Sequence, residues 1–578
     1  MRPHSPRMCG LLLAACLALP AVALHAAPLA VTQLSPARNA VAQPTAAVVI
    51  DFDKPVNPAS VTPSTFRVFG RASGTKTGAF TFSNGNQRVS FQPSEPFSAG
   101  ETVRINLSHD LAAADLTTLR SAGYFYQFQI RTLPGGTFQS LGSITNRINN
   151  VQTRIYGAAA TDLNNDGWID LATINEVSSD VRVCLSRADG SGLYQPFLPA
   201  QPIGFESSPN DPADFNNDGN TDLCIDASYV STTAVMLGAG NGTFSSIQNL
   251  SAGDTPHGIT TLDVDGDGDP DIATANQGDD NLGLLINNGA GVFSPPTFFE
   301  GGVNGEYGLV AADMNNDGIA DLVVAGNGSG DVRVMRGNGD GTFTQAGPAR
   351  SCGGLVWVVV VDDVDGDGNL DAATANNGSG NGAILLGNGD GTFDAATLYS
   401  TGSHTPSVDL GDLDGDGDPD LVLSVYSGGI WRYFLNDGAG NFAFQQDFTA
   451  PSNPSCAVLY DSDNDGDLDM ALTDEIADVI VLMRNIGAAD VAPGALPAQL
   501  ALRPNAPNPF RDGTVVRFAL PAPAQVRLDV FDVSGRRVAS MEPVARGAGW
   551  QELAFNGRDA AGAPLATGVY SYRVSAGA

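Results

Sequence analysis

Seven copies of one nine-residue acidic loop, Asp-x-Asp/Asn-x-Asp-Gly-x-x-Asp, punctuate the chain, beginning at Asp162, Asp214, Asp263, Asp313, Asp363, Asp412 and Asp461. The copies are spaced by 52, 49, 50, 50, 49 and 49 residues. Carboxylates crowded this closely repel one another unless a cation sits among them, and a constant period means one structural unit repeated. The feature constrains metal chemistry and architecture together.

Within the loop the positions divide by role. The seven residues that open the copies are position 1. Position 3 is Asn164, Asn216, Asp265, Asn315, Asp365, Asp414 or Asp463, and position 5 is Asp166, Asp218, Asp267, Asp317, Asp367, Asp416 or Asp465. Position 9 is Asp170, Asp222, Asp271, Asp321, Asp371, Asp420 or Asp469. Position 6 is Gly in every copy, because a chain wrapping an ion needs a positive-φ turn that only Gly adopts without steric cost. Position 7 ranges over Trp168, Asn220, Asp269 and Ile319, the indifference expected where a backbone carbonyl is the ligand. Oxygen donors in this number suit Ca²⁺, whereas Mg²⁺ demands a stricter octahedron. The bland alternative is an Asp/Gly turn that caps a hairpin, and seven matching copies weigh against it. An EF-hand does not fit: its bidentate Glu falls on residues such as Thr173 and Thr274. Up to seven structural Ca²⁺ ions are expected. Asn at position 3 leaves loops 1, 2 and 4 with less charge and weaker binding.

Around each loop the pattern repeats. An apolar strand precedes it (Gly258 to Leu262), a second follows at once (Asp271 to Ala275) and a third comes next (Leu282 to Ile286). A Gly-rich turn then leads to a fourth. Four short antiparallel strands per repeat describe a propeller blade, so seven loops predict seven blades. The turn Gly-x-Gly-Thr-Phe recurs at 240–244, 339–343 and 389–393 but is missing after the last repeat, while Gly135-Gly136-Thr137-Phe138 stands before the first. The strand near Phe138 to Ile144 is therefore expected to complete blade 7 and remove the open edge.

These repeats resemble the FG-GAP/VCBS repeats of integrin α-type propellers, over residues 134–490. The resemblance implies Ca²⁺ in the loop joining the first two strands of each blade, and ligand binding on the opposite face. Residues 28–133 alternate apolar and polar residues in short runs, and Phe52-Asp53-Lys54-Pro55-Val56, Phe91-Gln92-Pro93 and the closing Phe128-Gln129-Ile130-Arg131-Thr132 resemble a bacterial Ig-like domain of surface-layer type. That resemblance implies a spacer or adhesive module. Small residues and prolines over 491–500 read as a linker. Residues 501–578 return to β patterning. Asn508-Pro509-Phe510, Asp532-Val533-Ser534-Gly535-Arg536 and Asn556-Gly557-Arg558-Asp559 resemble the FlgD-type Ig-like fold, which also serves as the sorting domain of type IX secretion. Phe555 stands where that family carries Trp, and the chain stops at Ala578 before the family's final basic strand. The expected fold is all-β: a seven-bladed propeller flanked by two Ig-like β-sandwiches.

A net charge of −34 repels nucleic acid and anionic membrane surfaces, so neither is expected as a partner. Twenty-five of the 63 acidic residues occupy the loop positions named above, so the acidity is local chemistry more than a solubility device. Residues 1–26 read as a secretory signal, with Arg2 and Arg7 before the apolar run Met8 to Leu24. No later stretch is long and apolar enough to span a membrane. Leu13-Ala14-Ala15-Cys16 fits a lipoprotein box, a minority option because the apolar run continues past Cys16. The chain is thus expected to be secreted or displayed on the cell surface. Cys184, Cys224, Cys352 and Cys456 remain after cleavage, permitting disulfides or isolated buried thiols.

On the face opposite the loops, the residue six places before each loop is Tyr156, Ser208, His257, Tyr307, Trp357, Pro406 or Ser455. With His404 nearby, Tyr156, His257, Tyr307 and Trp357 are a candidate platform for sugar rings or a protein's aromatic anchor, against the plainer reading that this is a packing position of the repeat. The expected partner is an extracellular glycan or protein, and the expected role is adhesion or ligand contact. No nucleophile elbow and no H-E-x-x-H spacing is present, so no catalytic residue is assigned. A polysaccharide lyase or glycosidase built on the propeller is the alternative.

Overall fold

The second strand of each repeat, such as Asp271–Asn276 or Asp469–Asp474, is buried along its whole length. A strand read as continuously apolar needs a neighbour on both faces. A computed structural model supplies those neighbours. It describes residues 27–486 apart from 148 and 228, residues 501–502, and 513–577 with short interruptions, so that Asn508-Pro509-Phe510 lies outside the described residues. The segments expected as signal (1–26) and linker (491–500) lie outside the described residues.

The repeats form seven antiparallel sheets, six of four strands and blade 4 of five, where Phe343–Gln345 and Arg350–Ser351 both pair with Asp331–Gly337. Blade 3 is typical, ordering Pro256–Leu262, Asp271–Asn276, Asn281–Leu285 and Thr297–Phe299 from the inside outward. In blade 7 the outermost strand is Phe138–Thr145, paired with Val479–Asn485, so the ring closes with the strand that precedes the first repeat. Seven apolar clusters, one per blade interface, hold the ring together. Alternate side chains on one strand serve opposite neighbours: Ile272 packs toward blade 2, whereas Ala273 and Ala275 pack toward blade 4.

Residues 31–130 form a β-sandwich of two sheets, with Ile50, Phe66, Ile105 and Phe128 in its core. Residues 501–577 contribute a third β unit around Phe518, Leu528 and Phe555. Phe555 is itself buried there, filling the core where the related family carries Trp. Among the described residues there is no α-helix. The four cysteines are free thiols, Cys184, Cys224 and Cys352 buried and Cys456 half-buried, so the isolated-thiol alternative describes them.

Candidate functional site

The seven acidic loops lie at one end of the central channel and share one hydrogen-bond design. The position-6 glycines all have positive φ, from 80° at Gly167 to 100° at Gly417. In every loop the glycine N–H donates to the position-1 carboxylate at 2.8–3.0 Å. The position-9 carboxylate does something the spacing alone did not show. One of its oxygens accepts the position-2 N–H at 2.8–3.1 Å. The other accepts a backbone N–H sixteen residues on, beside the third strand, at 2.6–2.9 Å. Position 9 thus braces the blade, and what it offers an ion is its remaining lone pairs.

The loops divide into two groups. Carboxylate oxygens converge within 4.8 Å of one another for Asp263, Asp265 and Asp271, for Asp363, Asp365 and Asp371, for Asp412, Asp414 and Asp416, and for Asp461, Asp463 and Asp465. These triplets of loops 3, 5, 6 and 7 can hold a metal ion. Asp412 Oδ1 is buried and accepts no hydrogen bond, although its Oδ2 takes those of Thr132 and Gly417. Burial, reinforced by neighbouring carboxylates, pushes Asp263, Asp363 and Asp412 up to about 7 and Asp461 to about 8. A hard divalent cation fits such a donor set. Loops 1, 2 and 4 show no such convergence. Asn164 and Asn216 each donate to the position-5 carboxylates of Asp166 and Asp218 at 3.0 Å. In loop 4 the guanidinium of Arg38 lies 3.1 Å from Asp313 and donates to the carbonyl of Asn316.

Position 4, which the sequence reading passed over, is Asn or Gly in all seven loops because it too needs positive φ. The asparagines stitch adjacent blades: Asn165 donates to Asn220, Asn217 to Asp269, Asn316 to Asn369 and Asn464 to the carbonyl of Gly167. Two of the glycines serve a close approach instead. A Cβ on Gly266 would lie 2.4 Å from the backbone of Ser121 and Ala122, and one on Gly415 would lie 2.2 Å from that of Leu133.

That approach reveals the arrangement the sequence did not announce. The N-terminal sandwich, expected as a spacer, is seated on the loop face and touches all seven loops. Ala72 accepts from Asp162 N, and Arg67 donates to the carbonyl of Asp214 and pairs with Asp269 at 2.8 Å. His109 N and Phe125 N donate to the carbonyls of Gly266 and Gly318, and Asn39 Nδ2 to that of Gly368. Thr132 reaches Asp412 at 2.6 Å, and Leu133 N the carbonyl of Gly466. Arg71 and Arg104 enter the channel and pair with the buried Asp211 at 3.2 and 3.5 Å. The sandwich is a cap.

At the other end the channel is ringed by aromatic residues. In blades 1, 3, 4 and 5 the register of the first strand shifts between Ile155 and Gly157, Pro256 and Gly258, Glu306 and Gly308, and Val356 and Val358. Tyr156, His257, Tyr307 and Trp357 are therefore the bulged residues, and a bulge at a rim re-aims its side chain. His257 stacks on Tyr307 with ring centroids 3.4 Å apart, Tyr307 lies 5.5 Å from Trp357, and Trp357 lies 4.7 Å from His404. Tyr156 Oη reaches His257 Nε2 at 3.5 Å from two blades away. Burial lowers His257 to about 3, so it is neutral at physiological pH. The structure thus gathers all five ligand-face residues into one arc of rings at the channel mouth. It adds Tyr426, stacked on His404 at 5.4 Å, and Arg154, paired with Glu176 and Glu475. No sequence signal marked Tyr426 or Arg154, because neither occupies the repeat position that exposed the others. Pro406 precedes its strand, Ser455 is buried, and the side chain of Ser208 lies outside the described residues.

Seven antiparallel blades around a channel, with acidic loops at one end, define a seven-bladed β-propeller. The FG-GAP-like repeat matches residues 162–225, 214–274, 263–324, 313–374, 363–423 and 412–472. These matches span more than half of the chain, which belongs to the FG-GAP-like repeat family. A bacterial Ig-like domain matches residues 25–129, and the FlgD Ig-like domain residues 507–578. Among solved structures the chain is similar to a lectin of Agrocybe aegerita studied for recognition of non-reducing terminal N-acetylglucosamine, at 19% identity over 57% of this chain and 88% of that one, with a TM-score of 0.39. It is also similar to BBS1N in complex with ARL6DN, at 9% identity over 60% and 96%, TM-score 0.43. A functionally unknown protein from Desulfotomaculum acetoxidans matches at 13% identity over 65% and 96%, TM-score 0.36. A search of curated proteins gave no match. No helix among the described residues is long and apolar enough to cross a membrane.

Proposed function

We propose that this is a secreted or surface-displayed, calcium-stabilised propeller that binds an extracellular glycan or protein and serves adhesion rather than catalysis. The observation that carries the reading is the asymmetry of the channel. The Ig-like cap covers the acidic end, so a ligand meets the aromatic end. There Trp357 Nε1 and His404 Nε2 are buried without a hydrogen-bond partner among the described residues, which suits a ligand rich in hydroxyl or amide groups. Rings of this kind stack on sugar faces and on aromatic anchors of proteins.

Calcium belongs to the loops as scaffold. Loops 3, 5, 6 and 7 are the strong sites, with Kd on the order of 10⁻⁴ to 10⁻³ M as in extracellular modules. Loops 1, 2 and 4 are weaker, since Asn164, Asn216 and Arg38 already supply donors to their carboxylates. The domain plan supports display outside the cell: an apolar N-terminal segment, two Ig-like units and a propeller. No arrangement among the described residues favours the polysaccharide-cleaving alternative, and neutral, buried His257 is poorly suited to proton transfer.

The test is a glycan and matrix-protein array probed with the full chain in Ca²⁺. Binding that Trp357→Ala abolishes, while the circular dichroism of the fold stays unchanged, supports the reading. Binding that survives Trp357→Ala and Tyr307→Ala sinks it.

A further inference from the structure

Behind the aromatic arc the channel is a chamber of about 520 Å³, closed at its far end by the cap. Its wall is aliphatic, built by residues such as Val358, Val360, Leu410 and Val458 on the inner strands. Charge is confined to its two ends. At the floor, Asp211, Asp362 and Asp409 face Arg71 and Arg104. At the mouth, Arg154 lies between Glu176 and Glu475. With Glu101 also lining the floor, carboxylates outnumber arginines by two there and by one at the mouth, and the two histidines of the mouth are held neutral by burial. Asp211 takes both floor arginines. Asp362 and Asp409 are held by Gln129 and by backbone N–H groups, with no salt bridge to either among the described residues.

An apolar-walled chamber with surplus negative charge at both ends selects against anions and does nothing specific for neutral hydrocarbons. The entrance adds a second selector. Tyr156, Tyr307 and Trp357 line the mouth, with one face of Tyr307 taken by His257, and aromatic faces attract cations within about 6 Å. We infer that the chamber binds a small organic cation, an ammonium or quaternary ammonium group carrying an apolar substituent, with the charge held between the aromatic arc and the carboxylates and the substituent against the aliphatic wall. Entry requires the rings of Tyr156 and His257 to part, since they meet across the mouth. The inference rests on the reading that this end of the channel is where ligands enter, and it assigns the chemistry the interior selects.

The experiment titrates the full chain with benzyltrimethylammonium, its neutral carbon isostere neopentylbenzene, and phenylacetate, by calorimetry and tryptophan fluorescence. The cation should bind at least about tenfold more tightly than the isostere, a gap of ~1.4 kcal/mol, and phenylacetate should not bind. Asp362→Asn with Asp409→Asn should weaken the cation about tenfold. Arg71→Gln should tighten it severalfold, an opposite sign that damage to the fold does not produce. Equal affinity for cation and isostere, or no heat and no fluorescence change up to about 10 mM cation, overturns the inference. Array binding lost on Trp357→Ala alongside a failed cation titration would refute the chamber assignment alone; failure of both would refute the entrance as well.

Discussion

The same seven inner strands make both ends of the channel, yet the two ends differ in what holds them. At the loop end every backbone turn is specified: Gly at position 6, Asn or Gly at position 4, Asp at positions 1 and 9, and a cap laid over all seven copies. At the mouth the repeat specifies little beyond a bulge, and the residue it aims varies from Tyr156 to His257, Tyr307 and Trp357. Uniformity at one end and variety at the other separate scaffold from recognition. The acidic motif, the most conspicuous feature of the chain, tells what keeps the ring rigid. The variable position tells where the proposed ligand would meet the ring.

The largest test of this contrast is chelation. Four ions at a hundredfold excess over Kd would each add about 2.7 kcal/mol, so EDTA should lower the melting temperature of the propeller on the order of 15 °C and loosen the cap with it. A thermal scan in which the cap and propeller transitions stay unmoved would break the scaffold half of the comparison. The chelated protein should also show a distinctive pH response. Asp263, Asp363 and Asp412 titrate at about 7 and Asp461 at about 8, against ordinary values near 3.8. Between about pH 4 and 8 the folded chain therefore binds more protons than the unfolded one, and stability falls as pH rises. Ca²⁺ should flatten that slope, as denaturant midpoints at pH 5, 6, 7 and 8 would reveal.

Arg104→Ala comes next. It leaves Asp211, which is buried, with only the half-exposed Arg71, and removing one partner of a buried pair costs about 3–5 kcal/mol. Equilibrium unfolding should register that loss. Trp357→Ala at the mouth should cost less, about 2 kcal/mol for a half-buried ring, while removing ligand binding. Asn165→Ala, which breaks one stitch between blades 1 and 2, should cost about 1 kcal/mol and leave binding intact.

Much of this was legible in the sequence. A period near fifty residues with an Asp-Gly loop and an apolar run on each side marks the blades, and the displaced Gly-Gly-Thr-Phe at 135–138 marks the closing strand. The aromatic arc was visible as a column of equivalent positions, though not the bulges that aim it. What was hidden is contact between units far apart in the chain. Arg67 and Arg104 lie on ordinary strands and Arg71 in the turn after one, and nothing local distinguishes an arginine that faces water from one whose partner lies 147 or 157 residues later in sequence. The split among the loops was half visible: Asn164, Asn216 and Asn315 marked the weaker copies, while Arg38 beside Asp313 could not be seen from composition.

Hydrogen exchange on the full chain, with and without EDTA, tests the central claim most directly. The account predicts that removing Ca²⁺ raises exchange in the loops and in the cap segments that touch them, around Arg67, His109 and Phe125, while the third strands and the C-terminal unit keep their protection. Unchanged protection in the cap, with exchange rising at the aromatic mouth instead, would contradict it.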